Sequence, residues 1–243
     1  MTEVTRRERL RAATELEIRQ HARKLLVQQG QDAVTLRAIA RELGITAPAL
    51  YRYYDSREDL LHHLGKDICG DLAAELNRGL ESVNDEDHPA KVFTVCHGFR
   101  QWALAHPREF ALVFASPVDE IGGWGQAGQD EFGSVFLSVV GPLMAEGASR
   151  MSSSSEEVSP ELRSELATNQ EALATAFSHE GIEMPPEALG PEAVHSLLRW
   201  WVRLYGHVAL EVFGRFPFDV RQADRLFESL LSELADEVGL TRS

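Results

Sequence analysis

The sequence predicts an all-α fold: an N-terminal three-helix helix-turn-helix domain at residues 10–58, then a larger helical domain at residues 59–238. Three observations carry this expectation. No segment alternates apolar and polar residues, over more than a few positions, with the period of two that a half-buried strand needs. Apolar stripes with helical spacing instead follow one another from Ile18 to Leu234. Between them stand residues that end helices, such as Gly30, Gly44, Pro107 and Pro217.

The first stripe is Ile18, Ala22, Leu25 and Leu26, on a helix expected to end near Gly30. Leu36, Ile39, Ala40 and Leu43 then recur at the i, i+3, i+4, i+7 spacing of one helix face. Thr35 precedes them as an N-cap, and Gly44 follows where a residue with φ > 0 closes a helix. Ile45 is expected to continue the buried stripe. Thr46 is expected to cap a second short helix, Ala47–Tyr53, with Pro48 in the first turn, where its missing N–H costs little. Two short helices joined by a glycine turn form a helix-turn-helix, whose second helix can lie in a DNA major groove. The same pair also occurs as a plain packing unit, so the flanking residues decide. Tyr51, Arg52, Tyr53 and Tyr54 are consecutive, so at least one aromatic must face outward. Tyrosine hydroxyls and arginine are suitable phosphate donors. Ser56-Arg57-Glu58-Asp59 reads as a capping box, Ser56 bonding forward and Asp59 reaching back.

Leu60, Leu64, Ile68, Leu72, Leu76 and Leu80 predict one long helix running out of the head. Val92, Cys96, Phe99 and Trp102 predict another that stops before His106-Pro107, because a residue preceding proline avoids the α region. Phe110, Val113 and Phe114 predict a short helix closed by Ser116-Pro117. A glycine-rich loop, Ile121 to Gly125, leads to a helix carrying Phe132, Val135, Phe136, Val139 and Leu143. Met151–Ser159 is polar and reads as a surface loop. Leu162, Leu166, Leu173 and Phe177 predict the next helix. From Pro191 to Phe216 the pattern is apolar on more than one face, with Trp200 and Leu204 on the second, and Gly206 and Gly214 open to a close neighbour. Leu226, Phe227, Leu230, Leu231 and Leu234 follow on a final helix. Two readings fit this last pair: it completes the subunit's own core, or it pairs with a twofold copy in a four-helix interface.

Charge is divided along the chain. Residues 1–56 hold ten Lys and Arg against seven Asp and Glu, or +3; the remainder holds fourteen against thirty-one, or −17; together they make the net −14. Arg6, Arg7, Arg9 and Arg11 concentrate the positive part and read either as a solvated tail or as a phosphate-contacting arm. No run of 18 apolar residues exists, and the N-terminal stretch lacks an apolar core segment, so neither a membrane span nor a signal peptide is expected. Cys69 and Cys96 sit among apolar neighbours and read as reduced, buried residues of a cytoplasmic protein, a redox pair being the other reading. No cofactor loop, nucleophile elbow or HExxH sequence is present, and no Cys/His cluster has metal-ligand spacing; neither an enzyme, a cofactor nor a metal is expected.

The span Thr35–Leu61, TLRAIARELGITAPALYRYYDSREDLL, with the helix before it, resembles the N-terminal domain of the tetracycline-repressor (TetR) family of bacterial transcriptional regulators. The resemblance covers about residues 10–65. It implies that the helix after Thr35 supports, the Ala47–Tyr53 helix reads the groove, and Arg57 at the start of the next helix holds a phosphate. The implied DNA-binding set is Thr35, Arg37, Thr46, Ala47, Pro48, Ala49, Tyr51, Arg52, Tyr53, Tyr54 and Arg57. Ala47-Pro48-Ala49 departs from the family, where many members carry a basic or small polar residue. Base readout is then expected from Thr46, Tyr51 and Arg52, or from alanine against a thymine methyl. Family members dimerise through their last two long helices, which implies a homodimeric repressor on a palindromic operator in double-stranded DNA. An all-helical scaffold with a structural helix-turn-helix is the alternative, but a scaffold has no need of a basic head on an acidic body.

A small-molecule inducer is expected from the aromatics of the larger domain. Phe99, Trp102, Phe110, Phe114, Trp124, Phe136, Trp201 and Tyr205 are the candidate ligand-binding residues, with His97, Gln101 or His207 as polar groups. Each also fits an ordinary helical core. A mostly apolar ligand that binds the DNA-released state more tightly would relieve repression, with about 5.5 kcal/mol of preference needed for a near-complete shift.

Overall fold

A computed structural model describes residues 5–116, 131–151 and 158–237. Trp124 and the glycine-rich loop, with most of the polar segment after Met151, lie outside the described residues. Within them the regular structure is helical, without a strand. The helices are α1 (Arg6–Gln29), α2 (Leu36–Leu43), α3 (Ala47–Leu50), α4 (Arg57–Leu80), α5 (His88–Ala105), α6 (Pro107–Ala115), α7 (Glu131–Met151), α8 (Pro160–His179), α9 (Pro191–Val212) and α10 (Ala223–Glu237). Short 3₁₀ turns occupy Gln31–Ala33 and Pro186–Leu189. Among the described residues no helix is long and apolar enough to cross a membrane.

Packing divides the chain into two compact units. The first contains α1 to α3, α4 as far as Cys69, and α6. Its core is the stripe read from the sequence: Ile18, Ala22, Leu25 and Leu26 of α1, Leu36, Ile39 and Ala40 of α2, and Leu50 of α3, all buried. α6 belongs to this unit because it docks on α1. Arg23 pairs with the buried carboxylate of Glu109, and Arg108 Nη1 donates to the Val27 carbonyl at 2.7 Å. These contacts join residues more than 80 positions apart, beyond the reach of any local pattern.

The second unit runs from Gly70 to Ala105 and continues through α7 to α10. Its centre is aromatic: Phe99 of α5 stacks on Phe132 of α7 with centroids 5.2 Å apart, and Trp201 of α9 lies 5.8 Å from Phe99. Beside this cluster stands an ion group in which Arg100 and Glu211 are largely covered and Asp224 is exposed. Arg100 Nε and Nη2 donate to the two carboxylate oxygens of Glu211 at 2.7 and 2.6 Å, and Nη2 also donates to Asp224 at 2.7 Å. One guanidinium thereby ties α5, α9 and α10 together. Cys96 is buried, which pushes its thiol far above its ordinary range, and Cys69 is half-buried.

Candidate nucleic-acid interface

The helix-turn-helix is built by its caps. Thr35 Oγ1 accepts from the Ala38 amide at 3.1 Å and starts α2. At the other end Gly44 takes the left-handed conformation, φ 67° and ψ 24°. The amides of Gly44 and Ile45 donate to the Arg41 and Ala40 carbonyls at 3.3 and 3.0 Å, the paired closure of a Schellman turn. An L side chain in that conformation costs about 1–2 kcal/mol, so glycine is the residue that fits. The left-handed step also breaks the helical phase. Ile45 therefore does not continue the buried stripe, as its spacing suggests it should; it is 37% exposed.

α3 is shorter than Ala47–Tyr53. Its α-helical part ends at Leu50, whose buried side chain anchors it, and the chain then tightens. The Arg52 and Tyr53 amides donate to the Ala49 and Leu50 carbonyls in i to i+3 bonds of 3.3 and 2.9 Å. Tighter winding distributes the four successive residues differently. Tyr51 and Arg52 are exposed, Tyr53 is half-buried with the Arg11 guanidinium 6.0 Å from its ring, and Tyr54 is buried. Thr46 makes no side-chain capping bond, so its exposed hydroxyl is not used to start α3. Arg37 and Pro48 are also exposed, whereas Thr35, Ala47 and Ala49 are half-buried.

Two residues of the expected DNA-binding set are committed elsewhere. The Tyr54 hydroxyl accepts from Arg19 Nη1 at 3.0 Å and donates toward the Glu15 carbonyl at 3.4 Å. Burial raises its phenol above the ordinary range, opposed by Arg19. Tyr54 is a core residue whose hydroxyl holds α1. Arg57 donates from Nε to the Val34 carbonyl at 2.8 Å and from Nη2 to the Gln31 carbonyl at 2.9 Å. The Gln31 carbonyl already accepts the Val34 amide at 3.0 Å, and Arg57 adds a second donor there and one to the Val34 carbonyl. Its role in the structure is to staple that turn to α4. The cap of α4 also differs in detail. Asp59 N donates to Ser56 Oγ at 3.0 Å, but the Asp59 carboxylate accepts from Asp55 N at 3.0 Å, one residue further back than a capping box reaches.

Arg6, Arg7, Arg9 and Arg11 do not stand ahead of the first helix: they are its first turns. Thr5 N donates to Glu8 Oε2 at 2.7 Å and Glu8 N to Thr5 Oγ1 at 3.3 Å, a complete capping box that starts α1 at Arg6. The T-x-x-E signal for it stands in the sequence at Thr5–Glu8.

The described candidate ligand residues fall in both units. Phe110 and Phe114 belong to the first unit and lie against each other, centroids 5.0 Å apart. Phe99, Trp102, Phe136, Trp201 and Tyr205 belong to the second, where Phe99 and Trp102 are almost fully buried. Tyr205 stacks on Trp201 at 5.7 Å, and both keep part of their surface accessible. The second unit also has an open groove of about 850 Å³, lined by the end of α4, by α5 and by Glu228. His97 and Gln101 line it, but none of the seven described aromatics of the candidate set does. His207 lies elsewhere, its ring against Phe216 and Phe227. Among the described residues no group of His, Cys, Asp and Glu comes together as a metal set.

Comparison with known proteins agrees with this geometry. Residues 18–64 match the bacterial regulatory proteins of the tetR family, and residues 92–234, more than half of the chain, match the tetracyclin repressor-like C-terminal domain. The HTH-type transcriptional regulators Rv1816 of Mycobacterium tuberculosis and Mb1846 of Mycobacterium bovis are each 28% identical over 224 residues, covering 89% of this chain and 88% of their own. The solved structure of the regulatory protein SCO4313 superposes with a TM-score of 0.65 at 27% identity, covering 96% of this chain and all of that one. A Rhodococcus sp. RHA1 protein of unknown function shares the fold, with a TM-score of 0.53 at 17% identity over 94% of this chain and 95% of its own. With Thr46, Pro48, Tyr51 and Arg52 exposed on a capped helix pair and both halves of the chain matched, the protein belongs to the tetR family of bacterial regulators and is a DNA-binding transcription regulator.

Proposed function

We propose that the chain is a homodimeric repressor that binds a palindromic operator and is released by a mostly apolar small molecule. The observation that carries the DNA part is the exposed segment Thr46, Pro48, Tyr51 and Arg52, standing on a helix pair anchored by buried Leu36, Ile39, Ala40 and Leu50. Thr46 and Tyr51 supply hydroxyls for base edges or positioning, and Arg52 a guanidinium for phosphate. Residues 10–58 act as the reading head in this proposal, and residues 59–238 as the ligand-binding and dimerisation domain.

Dimerisation through the last two helices is supported by the exposed face of α9. Leu198 (47% exposed), Val202 (58%), Leu210 (41%) and Phe213 (39%) fall on one stripe, while Leu204 and Val208 face the core. Gly206 lies within the exposed stripe, and a Cβ there would meet nothing within 4 Å, so a partner helix can approach closely. On α10, Leu226 is likewise an exposed large apolar residue. Burying such a surface is what distinguishes an interface from scattered surface apolars. Two reading heads about 34–36 Å apart would then meet successive major grooves.

For the inducer, the accessible edge of Trp201 and Tyr205 on the aromatic cluster supports an apolar or aromatic molecule. α4 is one continuous helix from Arg57 to Leu80, running from the reading head into the second unit, and so provides a covalent route for a ligand to bias the head. A gel shift on mixed-sequence duplex at low salt, with sedimentation of the free protein, tests the proposal. A retarded band and a micromolar dimer are expected; a stable monomer would remove the palindromic operator, and absence of any shift would remove the repressor.

A further inference from the structure

The buried stripe of α1 does not stop where the core stops. Counting back from Leu25, Ala22 and Ile18 at spacings of three and four, the same face continues through Thr14 and Arg11 to Arg7. Ile18 is the first buried residue and Thr14 and Glu15 are half-buried, so the exposed part of α1 is the eight residues 6–13, about 12 Å at 1.5 Å per residue. On this overhang the face carries arginine where the core carries leucine. It also lies beside the reading segment: the Arg11 guanidinium is 6.0 Å from the ring of Tyr53, next in sequence to the exposed Tyr51 and Arg52.

Helix stability does not explain these residues. Cations near a helix N-terminus oppose the macrodipole, and Arg6, Arg7 and Arg9 all occupy the first turns, with Glu8 the acid among them. The helix end itself is closed by Thr5 and Glu8, so the arginine side chains, not the terminal amides, are what the overhang presents. Arg7 and Arg11 are exposed. Arg11 pairs with Glu15 at 2.8 Å, an exposed i, i+4 contact of the kind that exchanges readily for a phosphate.

We propose that the first three turns of α1 are a second DNA-contacting element, in which Arg7 and Arg11 bind backbone phosphates beside the segment read by α3, and Arg6 and Arg9 reach phosphates further out. This rests on the head being the DNA-binding part. Phosphate contacts carry no base identity, so the element adds affinity and orientation without sequence preference.

The test measures binding of the full chain to a labelled mixed-sequence duplex of about 30 base pairs between about 50 and 200 mM salt. Each phosphate neutralised contributes about 0.9 to the slope of log K against log salt. Arg7→Ala with Arg11→Ala should therefore lower the slope by about two per head engaged. Arg7→Lys with Arg11→Lys should restore most of it, since the charge returns. Arg7→Gln with Arg11→Gln, which keeps long helix-favouring side chains, should match the alanine pair and guards against loss of α1. A wild-type slope in both uncharged pairs, while Arg52→Ala lowers it, would overturn the proposal. If the wild-type chain binds no duplex at low salt, the reading of the head falls first and this one with it.

Discussion

Replacing Arg100 by methionine should unfold the second unit more readily than almost any other single change. The guanidinium is only 10% exposed and the Glu211 carboxylate beside it 12%. Both oxygens of Glu211 accept from Arg100, at 2.7 and 2.6 Å. Methionine fills a similar volume but leaves Glu211 as a buried charge without its guanidinium, and breaking such a pair from one side costs about 3–5 kcal/mol. The cation also lies 5.0 Å from the Phe227 ring, and methionine removes that attraction as well. For a chain of this size each kcal/mol moves the melting temperature by about 2–4 °C, so a fall of about 6–20 °C is expected. Asp224 accepts from the same guanidinium but is 88% exposed, so Asp224→Asn should cost less than about 1 kcal/mol. The double change Arg100→Met with Glu211→Leu should recover most of the stability, because it removes both charges together. Urea titrations followed by tryptophan fluorescence read all four proteins, with Trp102, Trp200 and Trp201 reporting on this unit. A loss below about 1 kcal/mol for Arg100→Met would refute the reasoning, as would a double variant no more stable than the single one.

Three further outcomes follow from individual contacts. Arg57→Ala should destabilise the first unit by about 1–3 kcal/mol, through the Gln31 and Val34 carbonyls, and change the salt slope of DNA binding by less than one; a unit drop in slope at unchanged stability would return Arg57 to the phosphate. Val202→Glu places a charge in the exposed stripe of α9, so sedimentation should show a monomer while the helical circular dichroism is kept; an undisturbed dimer would move the interface elsewhere. Burial holds the His207 imidazole below its ordinary 6.5, helped by Arg100 and opposed by Glu211 at 3.6 Å. The folded chain therefore binds this proton less well than the unfolded one. The stability it protects is present above about pH 6.5 and lost as pH falls below that, and His207→Leu should flatten the pH profile there, as measured by urea midpoints across pH.

Local signals made most of the fold legible in the sequence. Thr35 and Gly44 bound α2 because a side-chain acceptor and a left-handed residue act on amides within a few positions of themselves. The core face of α1, the long run of α4 and the break at His106-Pro107 came through for the same reason: periodicity and proline act along the chain. The placement of Ile45, Tyr54 and Arg57 was decided by tertiary structure. Ile45 turns outward because one αL step resets the helical phase. Tyr54 turns inward because α3 tightens after Leu50 and Arg19 and Glu15 wait for its hydroxyl. Arg57 turns to carbonyls more than twenty residues earlier, a demand that no local pattern encodes. The same holds for Phe110 and Phe114. Their aromatic character is plain in the sequence, but the Arg23–Glu109 and Arg108–Val27 contacts draw α6 onto α1 and place both rings in the first unit. A sequence states which side chains seek burial or a hydrogen-bond partner; which partner they meet depends on where distant segments come together, and only the folded chain settles that.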